Sequence, residues 1–187
     1  MSKNKKVFIV AELSANHMNN KSVIIDTIKA AKNSGADAFK IQTFDLNQMT
    51  LNIRDENYIV KKGIWKGYNH FDLYKKIHLP WEWHEFIFEE CYKQDLICFS
   101  TPFDLKSVQF LENLNNPIYK IASSEVNHVP LIELVTKLKK PIIFSTGAAL
   151  ENDIRLFIDI ARKNENEDIT VLQCTAKYPA KVEDANL

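Results

Sequence analysis

The chain has 187 residues, 45% of them hydrophobic, and its 24 lysines and arginines balance 24 aspartates and glutamates. A balanced charge gives no basic surface for nucleic acid or for a membrane, so the composition favours a small-molecule task. No apolar run approaches the roughly 20 residues of a membrane span. The start, MSKNKK, lacks a hydrophobic signal core. We therefore expect a cytoplasmic protein.

Strand-like runs recur along the chain. They are short, apolar and partly β-branched, which is typical of strands buried on both faces of a parallel sheet. In chain order they are VFIVAEL from Val7, AFKIQTF from Ala38, LICFSTP from Leu96, IYKIASSE from Ile118, PIIFSTG from Pro141 and ITVLQCT from Ile169.

Helix-like segments lie between these runs, with apolar residues three or four positions apart. Their stripes are Ile24, Ile28 and Ala31; Trp83, Phe86, Ile87 and Cys91; Leu131, Leu134, Val135 and Leu138; and Ile154, Phe157, Ile158 and Ala161, with a shorter helix from Leu105 to Leu114. Strands that alternate with helices predict an α/β fold with a parallel sheet. Residues 45–79 form a longer excursion with several aromatic side chains, and we expect it to cover a site.

Polar residues stand at the end of every strand-like run, and this pattern distinguishes two architectures. An open sheet concentrates its ligand groups at one switch point, whereas a barrel gathers the carboxyl ends of all strands around one site. The pattern favours a TIM (β/α) barrel. Six strand-like runs are present, where a barrel has eight. We therefore expect residues 1–187 to be the N-terminal part of a longer barrel protein.

Two lysines, Lys40 and Lys120, interrupt otherwise apolar strands. A lysine is seldom buried without a partner because its ammonium is costly to desolvate. Each could reach solvent or pair with a carboxylate. Both lysines converging with Thr101, Ser123 and Ser145 at one barrel mouth would form an anion site, because ammonium and hydroxyl groups hold phosphate and carboxylate.

Two carboxylates, Glu12 and Glu125, end the first and fourth runs. They either balance the lysines or handle protons beside an anionic ligand. Asn16 and His17 follow the first run directly and could bind substrate hydroxyls or form a helix-entry turn. The remaining histidines show no metal-ligand spacing.

Seven ordered motifs carry a family resemblance. They are AELSANH, GADAFKIQTF, LPWEWHE, LICFSTPFD, YKIASSEVNHVPLI, KPIIFSTG and CTAKYPA. Together they resemble the sialic acid synthase family over nearly the whole chain. AELSANH and LPWEWHE are most similar to its pseudaminic acid synthase branch, with the N-acetylneuraminate and legionaminate branches as alternatives.

The resemblance implies a TIM-barrel enzyme that condenses phosphoenolpyruvate with an N-acylated amino-sugar aldehyde and releases phosphate. In the pseudaminate branch the sugar is 2,4-diacetamido-2,4,6-trideoxy-altrose. The implied catalytic residues are Glu12 and Glu125. The implied phosphoenolpyruvate-binding residues are Lys40, Thr101, Lys120, Ser123 and Ser145. The implied sugar-binding residues are Asn16, His17, Gln42 and Tyr178.

The same resemblance implies features that this chain would not supply alone. A divalent metal (manganese, magnesium or cobalt) would orient the aldehyde in the full-length protein, with its ligands expected beyond Leu187. The full-length protein would be a homodimer. Two rival hypotheses stay open. One is a Schiff-base aldolase with Lys120 or Lys40 as the nucleophile, and the other is an inactive fragment that needs a complementary chain.

Overall fold

The computed structural model describes residues 6–186, which contain six strands and seven α-helices. The strands are β1 (Val10–Glu12), β2 (Ala38–Thr43), β3 (Ile97–Pro102), β4 (Tyr119–Ile121), β5 (Ile142–Ser145) and β6 (Ile169–Leu172). The helices are α1 (Lys21–Asn33), α2 (Leu46–Met49), α3 (His70–Ile77), α4 (His84–Lys93), α5 (Leu105–Asn113), α6 (Val129–Lys137) and α7 (Glu151–Lys163). Short 3-10 helices cover Glu56–Tyr58, Trp81–Trp83, Ser123–Glu125 and Val182–Ala185. None of the helices in the described part is long and apolar enough to cross a membrane.

The chain forms two compact units, one ending at Phe99 and the other beginning at Ser100. In the first unit the strand order is β1-β2-β3. Strands β1 and β2 run parallel, with Val10 opposite Ala38 and Glu12 opposite Lys40. The core of this unit lies between the sheet and helices α1 and α4. Its members include Leu13, Ile24, Ile28, Phe39, Ile41, Ile87 and Cys91.

Helix α1 shows why the predicted helices form. The side chain of Asn20 accepts a hydrogen bond from the Ser22 amide at 2.9 Å, which satisfies a donor that the helix start leaves unpaired. The predicted stripe of Ile24, Ile28 and Ala31 is buried. Gly35 follows the helix with a φ of +87°, a conformation that favours glycine. The prediction for this helix is confirmed.

The excursion between β2 and α4 contains helices α2 and α3 and an isolated antiparallel bridge between Ile59 and Asn69. Trp65 and Tyr68 meet edge to face near this bridge, with ring centroids 6.0 Å apart. Both rings stay partly exposed. That this segment covers a site stays a prediction.

In the second unit the strand order is β3-β4-β5-β6, and all neighbours run parallel. Tyr119 lies opposite Ile142, and Ile142 lies opposite Ile169. Phe144 of β5 stacks on Phe157 of α7 with centroids 4.1 Å apart, and both rings are fully buried. This apolar contact joins sheet and helix and stabilises the unit through buried area.

The outer strands are less buried than the inner strands. The first strand begins at Val10 rather than Val7, and Val7, Phe8 and Ile9 are exposed. In β6, Val171 is also exposed. Among the described residues, each of these strands pairs with one neighbour, so its other edge has no strand partner. Burial on both faces is confirmed for most of β2 and β3, whereas the outer strands β1 and β6 are partly exposed, as expected for the end strands of an incomplete barrel.

Candidate functional site

The first unit pairs two of the predicted site residues. Glu12 ends β1 and lies opposite Lys40 of β2, and the Lys40 ammonium forms an ion pair with Glu12 Oε2. The other oxygen, Oε1, accepts a hydrogen bond from the Ser14 amide at 3.1 Å. The Lys40 side chain is 15% exposed, and a charge this poorly hydrated needs a partner. Lys40 therefore has the carboxylate partner that a strand lysine requires.

Two further predicted residues follow β1. Asn16 is exposed, and its amide closes a turn onto the Leu13 carbonyl at 3.0 Å. His17 is buried. Its Nε2 donates to the Ile77 carbonyl at 3.1 Å, and its Nδ1 accepts from the Asn19 amide at 3.2 Å. The ring thus anchors the turn after β1, and its sugar-binding role stays a prediction.

Gln42 completes the predicted residues of the first unit. It lies two positions after Lys40 on β2, so the two side chains share one face of the strand. Both are half-buried, whereas Ile41 and Thr43 on the opposite face are buried. The face with Lys40 and Gln42 is the one available to a ligand.

The second unit brings together two more predicted residues. Lys120 of β4 is only 8% exposed, and its Nζ donates to Ser145 Oγ at 2.5 Å and to the Ile121 carbonyl at 2.9 Å. Ser145 ends β5 and is also buried. Side by side, a buried ammonium and a hydroxyl provide a positive charge and a hydrogen-bond donor for an anion.

Sequence reasoning missed Gly147. Its amide donates to Ser123 Oγ at 3.1 Å. A Cβ on Gly147 would lie 3.1 Å from the Cys174 carbonyl oxygen and 3.1 Å from the Ala176 amide. A larger residue at position 147 would therefore require the segment after β6 to shift by a few tenths of an ångström where the loop after β5 approaches it. The available signal was the STG sequence directly after β5 in a chain with 4 glycines.

Three other predicted residues belong to the second unit. Thr101 is buried near the end of β3. Glu125 ends a 3-10 helix, and its Oε2 lies 3.3 Å from Nδ1 of His128. Tyr178 is 91% exposed. Lys120 thus contacts Ser145, and Gly147 contacts Ser123. The binding and catalytic roles of all the predicted residues in this unit stay predictions.

Between residues 6 and 186 no group of three or more histidine, cysteine, aspartate or glutamate side chains could hold a metal ion. The donor set of this part of the chain therefore does not fit a resident divalent metal. No chemical step is assigned to a metal held by these residues.

Comparison with known proteins identifies the family. The model of the NeuB family matches residues 27–187. The chain belongs to the NeuB family. It is 44% identical over 183 residues to the pseudaminic acid synthase of Campylobacter jejuni and 44% identical over 179 residues to that of Helicobacter pylori. These alignments cover 98% and 96% of this chain but 53% of each relative. The chain thus spans about half the length of the curated relatives it matches.

Solved structures agree with this assignment. The spore coat polysaccharide biosynthesis protein SpsE of Bacillus subtilis has a TM-score of 0.77 and 33% identity, over 96% of this chain and 47% of that one. The N-acetylneuraminic acid synthetase of Leptospira borgpetersenii has a TM-score of 0.83. Its 24% identity, over 98% of this chain and 59% of that one, shows a shared fold. The predicted family and the predicted incomplete TIM-barrel class are confirmed.

Proposed function

We propose that this chain is the N-terminal part of a pseudaminic acid synthase. We call the full polypeptide to which the chain belongs the whole protein. In this proposal the whole protein condenses phosphoenolpyruvate with 2,4-diacetamido-2,4,6-trideoxy-altrose and releases phosphate. Support comes from relatives named pseudaminic acid synthase at 44% identity, compared with 33% for the N,N'-diacetyllegionaminic acid synthase of Campylobacter jejuni. The altrose derivative is therefore favoured over the legionaminate and N-acetylneuraminate precursors.

The observation that carries the proposal is the buried contact between Lys120 and Ser145. An ammonium with this little water binds an anion strongly because the surrounding protein screens the attraction less than water does. Phosphoenolpyruvate carries a phosphate and a carboxylate. In the proposed site Lys120 and Ser145 bind one anionic group, and Ser123 and Thr101 add hydroxyl donors.

The reaction forms one carbon–carbon bond. Carbon 3 of phosphoenolpyruvate attacks the aldehyde, water adds at carbon 2, and phosphate leaves with cleavage of the carbon–oxygen bond. Glu125 is proposed to assist the water or to stabilise positive charge at the reacting carbons. In the first unit the ion-paired Lys40 and Glu12 are proposed as further substrate contacts, Lys40 as an anion ligand and Glu12 as a catalytic residue.

Further properties belong to the proposal for the whole protein. The ligands of a divalent metal are proposed to lie in the remaining part of the whole protein, and such a metal would supply Lewis-acid polarisation of the aldehyde. The whole protein is proposed to be a cytoplasmic homodimer. The 187-residue chain alone is expected not to convert the substrates, because it covers 53% of the length of the pseudaminic acid synthase that it matches.

A panel of sugars tests the proposal. The whole protein is incubated with phosphoenolpyruvate and, separately, the altrose derivative, the legionaminate precursor or the N-acetylneuraminate precursor, and phosphate release is measured. The highest kcat/KM is expected with the altrose derivative. A higher value with either other sugar contradicts the substrate assignment. Trapping of a covalent adduct by borohydride in the presence of pyruvate would support the Schiff-base aldolase instead.

A further inference from the structure

The motif LPWEWHE, residues 79–85, distinguishes the sequence, yet the proposed chemistry uses none of its side chains. Its single histidine, His84, begins α4 and is fully buried. His84 Nε2 lies 2.8 Å from the hydroxyl of Thr43, the last residue of β2, and Thr43 is fully buried as well. The motif therefore reaches back across 41 positions to the end of β2.

The hydrogen-bond roles in this contact are fixed by the second ring nitrogen. His84 Nδ1 lies 3.1 Å from the Pro80 carbonyl, which can only accept, so Nδ1 carries the proton. In the neutral ring Nε2 then accepts from the Thr43 hydroxyl. Burial supports this state, because it lowers the pKa of His84 to about 4. Thr43 donates, and His84 accepts.

Two more side chains, from residues 78 and 81, bind the backbone of Phe44, the residue after Thr43. The Phe44 carbonyl accepts from Nε2 of His78 at 3.1 Å and from Nε1 of Trp81 at 3.0 Å. A carbonyl oxygen has two lone pairs, and these two bonds can use both. We call Thr43, Phe44, His78, Trp81 and His84 the β2 clamp. It fixes both the side chain and the backbone at the point where β2 ends.

The β2 clamp acts on the strand that carries two predicted substrate ligands. Thr43 lies on one face of β2, and Lys40 and Gln42 lie on the other. A shift of the strand end at Thr43 would move the ligand face with it, because the strand backbone is shared. We propose that the β2 clamp positions Lys40 and Gln42 for substrate, with Thr43 and His84 as positioning residues. This inference rests on the proposed function.

The test is a hydroxyl-deletion pair in the whole protein. Thr43→Val keeps the side-chain shape but removes the donor to His84, whereas Thr43→Ser retains it. We expect Thr43→Val to raise the KM for phosphoenolpyruvate at least about fivefold with a smaller change in kcat, because misplacement of a binding group weakens the contacts it makes. Thr43→Ser is expected to stay within about twofold of wild type.

A matched control separates positioning from general destabilisation. Thr136 is also a fully buried threonine, and its hydroxyl donates to the Ile132 carbonyl at 2.8 Å in the second unit. Thr136→Val is expected to leave the KM for phosphoenolpyruvate unchanged. Equal KM increases in Thr43→Val and Thr136→Val, or no increase in Thr43→Val, would overturn the inference.

Hydrogen exchange keeps the test independent of the proposed reaction. The amides of residues 38–44 are expected to exchange at least about fivefold faster in Thr43→Val than in Thr43→Ser or wild type. If wild type releases no phosphate with any sugar, the proposed function fails. Hydrogen exchange alone then tests whether the β2 clamp holds the end of the strand. Unchanged exchange at residues 38–44 would show that Thr43 does not hold the strand.

Discussion

Acid is predicted to destabilise the protein through His84. Burial is the largest cause of the lowered pKa of this ring, at about 4 in the folded chain, compared with about 6.5 for an unperturbed histidine. The unfolded chain therefore binds a proton at His84 more readily than the folded chain does. The stability from the neutral ring is complete above pH 6.5 and is lost progressively as the pH falls towards 4.

The size of the effect follows from these two pKa values. For a folded pKa of about 4, linkage gives a loss of roughly 2 kcal/mol in the free energy of unfolding between pH 7 and pH 5. Burial also lowers the pKa of His78, so this second histidine adds to the loss in the same direction. The free energy is measured by urea unfolding of the whole protein at pH 7, 6 and 5.

His84→Gln isolates the contribution of one ring. The variant has no titratable group at position 84, so its stability should fall by roughly 2 kcal/mol less than wild type between pH 7 and pH 5. His70→Gln removes a histidine outside the β2 clamp, at the start of α3, and serves as the matched control. Parallel pH profiles for wild type and His84→Gln would refute the reasoning.

Three further changes test the second unit. Lys120→Ala should raise the KM for phosphoenolpyruvate at least about tenfold, because a buried anion loses its charge partner. An unchanged KM and kcat in steady-state kinetics would show that Lys120 is not part of the site. Glu125→Gln should lower kcat more than it changes KM; a pure KM defect in the same assay would argue against a catalytic role. Gly147→Ala should lower the free energy of unfolding in urea by about 1–3 kcal/mol, because the added Cβ would meet backbone atoms of residues 174 and 176. An unchanged free energy of unfolding would show that this loop can move aside.

Local patterns predicted much of the fold. The stripe of Ile24, Ile28 and Ala31 predicted α1 because an apolar face at helical spacing must be buried. The run predicted for β1 extended from Val7 to Leu13, whereas the strand covers Val10–Glu12. Apolar composition alone could not show that Val7, Phe8 and Ile9 precede the strand and are exposed.

The candidate site was predictable where a rule about charge applies. A lysine inside an apolar strand needs a partner, and Lys40 has Glu12. The contact between Thr43 and His84 was not predictable, because residues 41 positions apart meet only through the packing of α4 on β2. His17 was predicted from its place after β1 as a sugar ligand. Its two backbone partners depend on the path of residues 19 and 77, which the sequence pattern does not specify.

The fate of the bridging oxygen of phosphoenolpyruvate tests the central claim most directly. The whole protein is incubated with the altrose derivative and phosphoenolpyruvate labelled with ¹⁸O at the bridging position, and phosphate and sugar products are measured by ³¹P NMR and mass spectrometry. A synthase that cleaves the carbon–oxygen bond transfers the label to phosphate as a nonulosonic acid forms. Unlabelled phosphate, or phosphate released without a new carbon–carbon bond, would contradict the account.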